Sequence, residues 1–148
     1  MKKIILALSV AMIIPSAAAQ HFKKPADAIE YRQSAFSLIA YNFGDMGAML
    51  KGKKPFEQSV FNQRAANVAA LAQIPHEGFI EGTSTGKTEA LAKVWTNKAD
   101  FDERMQSFQD NANKLAQVAS SGDKKAIKQA FGQVGKSCKG CHDNYKKD

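Results

Sequence analysis

The chain is poor in cysteine, histidine, proline and long apolar runs, and each shortage removes a class of protein. Its 148 residues hold two cysteines, Cys138 and Cys141, within four positions of each other. A disulfide framework across the fold is therefore excluded. Only three histidines are present, His21, His76 and His142, so a four-ligand zinc site has few residues to draw on. Acidic residues are also in the minority, 14 against 21 Lys and Arg, for a formal charge of +7.

The one apolar run lies at the start. Lys2 and Lys3 precede it, it extends from Ile4 to Ile14, and Pro15 and Ala17-Ala18-Ala19 follow. That is the three-part layout of a cleavable signal peptide. The run falls short of the roughly 20 apolar residues that span a bilayer. We read residues 1–19 as a signal and 20–148 as one exported domain, with the periplasm as destination and no stable membrane insertion after cleavage. Loss of Lys2 and Lys3 lowers the charge to +5. The other lysines are spread widely, which favours a solvated basic surface over a docking patch for an acidic partner. Nucleic-acid binding is not expected of such a protein.

Beyond Gln20 the apolar residues recur at spacings of three and four, the signature of amphipathic helices. A first helix from about Pro25 to Leu50 has the stripe Ile29, Arg32, Phe36, Ile39, Phe43, Met46, Leu50, in which Arg32 is the one charged position. Gly52 and Pro55 interrupt it. A second helix from about Phe56 to Gln73 presents Phe61, Ala65, Val68 and Ala72 and stops before Pro75. Residues 76–87 hold three glycines and read as a loop, followed by a short helical turn with Leu91 and Trp95. Asn97 is placed to cap a third helix with the stripe Phe101, Met105, Phe108, Ala112, Leu115, Ala119, and Asp100 lies at its positive end. A fourth helix starts at Asp123 and carries Ile127, Phe131, Val134, Cys138, Cys141 and Tyr145. Four such helices predict an all-α fold, an antiparallel up-down-up-down bundle.

The last stripe carries the chemistry. Cys138-Lys139-Gly140-Cys141-His142 places two thiols and an imidazole on one helical face, directed toward the core by the seam they extend. Two thiols so spaced can each add to a haem vinyl group, with His142 reaching the iron as an axial ligand. This Cys-x-x-Cys-His pattern is a c-type haem attachment sequence. A redox-active dithiol competes, but such pairs favour helix N-termini, where the dipole lowers the thiol pKa. An inert local disulfide leaves His142 without a role.

With these residues in place, the chain resembles the cytochromes c prime, class II c-type cytochromes with the haem motif near the end of a four-helix bundle. The likeness includes Ala28-Ile29-Glu30-Tyr31-Arg32-Gln33-Ser34-Ala35 and Phe131-Gly132-Gln133-Val134-Gly135 besides the cysteine motif. The resemblance implies one covalent haem c, five-coordinate and high-spin, with His142 below the iron and Phe36 covering the open face. It places Arg32, one turn before Phe36, at a haem propionate, where a guanidinium can pair with a carboxylate. An arginine reaching from the stripe to solvent is the alternative. Lys146, in the proximal pocket, departs from the arginine common in the family and loses its planar fork. The resemblance further implies a homodimer through the first two helices, for which Tyr41 and Val60 are candidate contacts.

Two functions follow from this reading. One is binding of a diatomic gas, NO readily and CO weakly, at an iron shielded by Phe36. The other is electron transfer with an unknown redox partner, with a low-spin dedicated carrier lacking a gas ligand as the alternative. Weak peroxidase activity ranks last, because no acid or base is evident for the face opposite His142. His76 reads as a surface histidine, and Trp95 and Tyr31 as packing residues.

Overall fold

The computed structural model describes residues 22–147. The expected signal and its cleavage point lie outside the described residues. Within them the chain forms four long helices and two short ones: α1 Pro25–Leu50, α2 Gln58–Leu71, α3 Lys93–Thr96, α4 Lys98–Ala119 and α5 Lys124–Tyr145, with a 3₁₀ turn at Pro75–Gly78. α1 packs along α2, α2 along α4 and α4 along α5, the order of an antiparallel four-helix bundle.

The helix ends have local causes. Pro25 occupies the first turn of α1, where its missing amide hydrogen is not needed. At the other end Gly52 takes φ +68°, which lets the Gly52 amide donate to the Met49 carbonyl and the Lys53 amide to that of Ala48. These paired bonds close the helix in the left-handed glycine manner. Asp123 caps α5, accepting hydrogen bonds from the amides of Lys125 and Ala126 at 2.9 and 3.1 Å. Asn97 stands at the corresponding position of α4 but makes no cap; its Nδ2 donates instead to the Tyr145 hydroxyl at 3.2 Å. The cap expected there is thus replaced by a tertiary hydrogen bond.

Two apolar clusters fill the interior. The larger contains Ile39, Met46, Phe61, Val68, Phe108, Leu115, Ile127 and Val134, all buried. Alanines at 65, 72, 112 and 119, each with no exposure, let α2 and α4 approach closely. The smaller cluster is Val94, Phe101, Met105 and Tyr145, with Phe79, Trp95 and Cys141 against it. Phe36 borders both.

The segment between α2 and α4 is more ordered than a plain loop. Its 3₁₀ turn sits directly on α1 because Gly78 lacks a side chain: a Cβ there would come within 2.8 Å of the Ala28 carbonyl and 2.9 Å of the Arg32 Cβ. Only glycine permits this approach. The returning strand of chain then meets the end of α5 through an isolated antiparallel bridge between Ala90 and Lys146.

Candidate haem site

Cys138, Cys141 and His142 occupy the last two turns of α5. Both thiols are free and half-buried, and His142 is exposed. Cys138 packs against the larger cluster and Cys141 against the smaller, so both continue the seam of the helix, and His142 lies on its flank. α1 and α5 meet where Phe43 stacks on Phe131, rings parallel and 4.1 Å apart, beside Gly47 and Gly135. Their backbones make no extended contact elsewhere. The cysteine face of α5 packs instead on α4, Cys141 against the cluster of Phe101 and Met105 and Cys138 against that of Phe108 and Ala112.

Burial raises the pKa of the Cys138 thiol and pushes that of Cys141 up to about 11, with Arg104 opposing the rise. Partial desolvation of the imidazole, followed by the Lys146 charge, lowers the pKa of His142. The ring is thereby favoured in its neutral form, with the lone pair a metal requires.

Phe36 is half-buried, its ring 6.3 Å from Phe79 in an edge arrangement. Phe79 in turn packs edge-on to Phe101 at 4.8 Å and lies under the Arg32 guanidinium at 4.5 Å. Sequence reading missed Phe79. It lies in the glycine-rich segment, where no helical periodicity marks it.

Arg32 is 2 % exposed, so the solvent-reaching alternative fails. Its Nη1 donates to the Gly78 carbonyl at 2.7 Å and Thr83 Oγ1 at 2.8 Å, and its Nη2 to the Thr83 carbonyl at 2.9 Å and Thr88 Oγ1 at 2.8 Å. Four of its five donors therefore tie the loop to α1. Nε–H is the donor left for another group, so two-pronged pairing with a carboxylate would require loop bonds to break. Burial lowers the guanidinium pKa to about 10. No carboxylate pairs with Arg32 among the described residues.

Lys146 lies just past the end of α5, where its Nζ pairs with Glu89 at 2.9 Å. The pairing lowers the Glu89 pKa and turns the lysine toward the Ala90 bridge. His76 is half-buried, stacked near Phe101, with Nε2 2.7 Å from Asp102 Oδ1. Trp95 Nε1 donates to the Ile80 carbonyl at 3.0 Å. Tyr31 bonds Glu77 and packs on Phe22 rather than between the long helices.

Behind the cysteine turn is a second group that sequence reading left unconnected. Arg104 Nε donates to Asp100 Oδ2 at 2.7 Å and its Nη1 to the Gly140 carbonyl at 3.0 Å, while the buried Tyr145 hydroxyl also donates to Asp100. The i, i+4 spacing of Asp100 and Arg104 was legible; their reach to α5 was not.

The arrangement fits a haem. It supplies two half-buried thiols on one face, a neutral-favoured imidazole beside them, and the aromatic side chains of Phe36, Phe79 and Phe101 nearby. Zinc fits poorly: no cluster of three potential metal ligands occurs among the described residues.

Comparison with known proteins agrees. The profile of the family described as Cytochrome C' matches residues 27–146. The solved cytochrome c prime of Shewanella frigidimarina is 71 % identical, with 86 % of this chain and 99 % of that one covered and a TM-score of 0.85. A nitric oxide complex of a variant cytochrome c prime from Alcaligenes xylosoxidans is 40 % identical over 86 % of this chain and 98 % of that one, TM-score 0.80. A carbon monoxide-bound variant from that organism matches at 40 % over 86 % and 99 %, again with TM-score 0.80. A four-helix bundle that carries Cys138, Cys141 and His142 at the end of its last helix, and is matched over nearly its whole described length, belongs to the cytochrome c' family.

Proposed function

We propose that the protein is a periplasmic haem protein that holds its iron by His142 alone, takes NO readily and CO weakly on the face shielded by Phe36, and also passes electrons. The covalent haem c of the family is the cofactor and Cys138 and Cys141 are its attachment points; the protein is not an enzyme. When bound, the haem supplies an iron that takes a diatomic ligand or exchanges one electron.

The observation that carries the proposal is the aromatic side chain of Phe36, half-buried beside the second cluster and incapable of ligating iron. Other donors are engaged elsewhere. Met46 and Met49 are buried in the larger cluster, Met105 lies among Phe101 and Tyr145, and His76 is paired with Asp102. Phe36 excludes water and must move for a ligand to enter, against its packing on Phe79. The NO and CO complexes of relatives support the same use of the iron here.

Arg32 contributes by fixing the loop that carries Phe79, and as a buried cation with no carboxylate partner among the described residues it is suited to face a propionate through Nε–H. Lys146 holds the α5 terminus to Glu89 in the proximal region. A homodimer through α1 and α2 is supported by Leu38 and Tyr41, 53 % and 66 % exposed on the outer face of α1. Val60 is half-buried against the core and offers less to such a contact.

The optical spectrum of the ferrous protein tests the proposal. A high-spin spectrum that changes on adding NO supports it; a low-spin spectrum indifferent to NO and CO favours the dedicated electron carrier. Phe36→Ala is expected to speed CO association by about tenfold, as for removal of some 1.4 kcal/mol of barrier. A variant binding CO no faster than the parent removes Phe36 from the role. Sedimentation of the mature protein decides the dimer.

A further inference from the structure

We infer that Arg104 and Asp100 are a charge pair that sets the reduction potential of the haem iron from behind the attachment turn, Arg104 raising it and Asp100 lowering it. The inference rests on haem attachment at Cys138 and Cys141.

The geometry brings both charges to the turn. Gly140 lies between the two cysteines, and its carbonyl accepts from Arg104 Nη1 at 3.0 Å and from Asn144 Nδ2 at 2.9 Å. The guanidinium is steered there by a two-point contact with Asp100, Nε to Oδ2 at 2.7 Å and Nη2 to Oδ1 at 3.3 Å. The carboxylate is fixed in turn by the hydroxyl of Tyr145, whose ring is 3 % exposed in the cluster bordered by Cys141. Asn97 Nδ2 reaches the same hydroxyl at 3.2 Å. Neither charge can drift far: each has contacts to α4 and to α5.

Reduction adds one electron to the iron, so a nearby cation favours the ferrous form and a nearby anion the ferric form. The Arg104 charge sits on the backbone of the attachment turn, and the Asp100 charge on the side chain of Tyr145 one turn from Cys141. Both would act through space and through the turn they position. With about a third of each side chain exposed, water screens the effect without removing it. Neutralising either charge is expected to change the ferrous-to-ferric ratio at fixed electrode potential by about threefold, in opposite directions.

Spectroelectrochemical titration of the holoprotein and its variants provides the test. Arg104→Gln is expected to lower the potential, Asp100→Asn to raise it, and Arg104→Lys, which keeps the charge without the fork, to stay nearer the parent than Arg104→Gln does. Shifts of the same sign in Arg104→Gln and Asp100→Asn, no shift in either, or an Arg104→Lys change as large as that of Arg104→Gln would overturn the proposal. Circular dichroism and the fraction of haem remaining on the denatured chain are measured alongside. Should Arg104→Gln fail to fold, a raised potential in Asp100→Asn supports the proposal and an unchanged or lowered one overturns it, as does an Arg104→Lys shift as large as that of Asp100→Asn. A parent protein without covalent haem would defeat the attachment reading instead.

Discussion

The two ends of the bundle are built on different principles. Around Phe61, Leu115 and Ile127 all four long helices close on one another through aliphatic side chains and alanines, and the α1–α5 contact is sealed by Phe43 on Phe131. Around Arg32, Phe79 and Cys141 the interior is aromatic and polar, held by a buried guanidinium and by hydrogen bonds to the loop between α2 and α4. The first end is ordered by close packing alone, the second by directional bonds added to aromatic packing around Cys141.

Mutations should separate these roles. The largest loss of stability is expected from Phe61→Ala, which empties a fully buried site and should cost about 4 kcal/mol in chemical denaturation. Its haem spectrum should match that of the parent; an altered spectrum would show that the ends are not independent. Arg32→Met comes next, at about 3 kcal/mol, because the carbonyls of Gly78 and Thr83 lose a charged donor inside the protein. Here the spectrum and gas binding should change with stability, since the loop bearing Phe79 is freed. Asp123→Ala removes the α5 cap far from the site and should cost about 1 kcal/mol with gas binding unaffected.

The smallest effect is in acid. The Lys54 and Arg64 contacts of Asp45 hold its carboxyl below the ordinary range, as the Arg104 and Tyr145 contacts do for Asp100. A carboxyl with a depressed folded pKa stabilises the fold above its unfolded value, near 4, and that stability fades as pH falls through the folded value. Stability should therefore be level from neutral pH to about 5 in this respect and decline below 4. Asp45→Asn should flatten that decline in thermal melts taken across the acid range, while leaving the haem end untouched.

The larger cluster was legible because helical periodicity reports burial directly. Every residue of the α4 stripe, Phe101 to Ala119, is buried as its spacing implies. Periodicity failed where tertiary bonds compete with local ones. Asn97 has the chemistry of a cap, but Tyr145 captures its side chain. The residues from 76 to 92 have no period, so nothing in their order indicates that Phe79 meets Phe36 or that two threonines receive an arginine from α1.

By itself the sequence determined the helices, the seam on each and the Cys-x-x-Cys-His spacing at residues 138–142 that suits haem attachment, because these depend on spacing along one chain. Tertiary structure decided how far that seam is covered. It set Cys138 against the larger cluster and Cys141 against the smaller, gave the buried charge of Arg32 to a loop, and brought Arg104 to the carbonyl of Gly140. Each of these depends on which residues distant in sequence share a volume, and helical spacing carries no record of that.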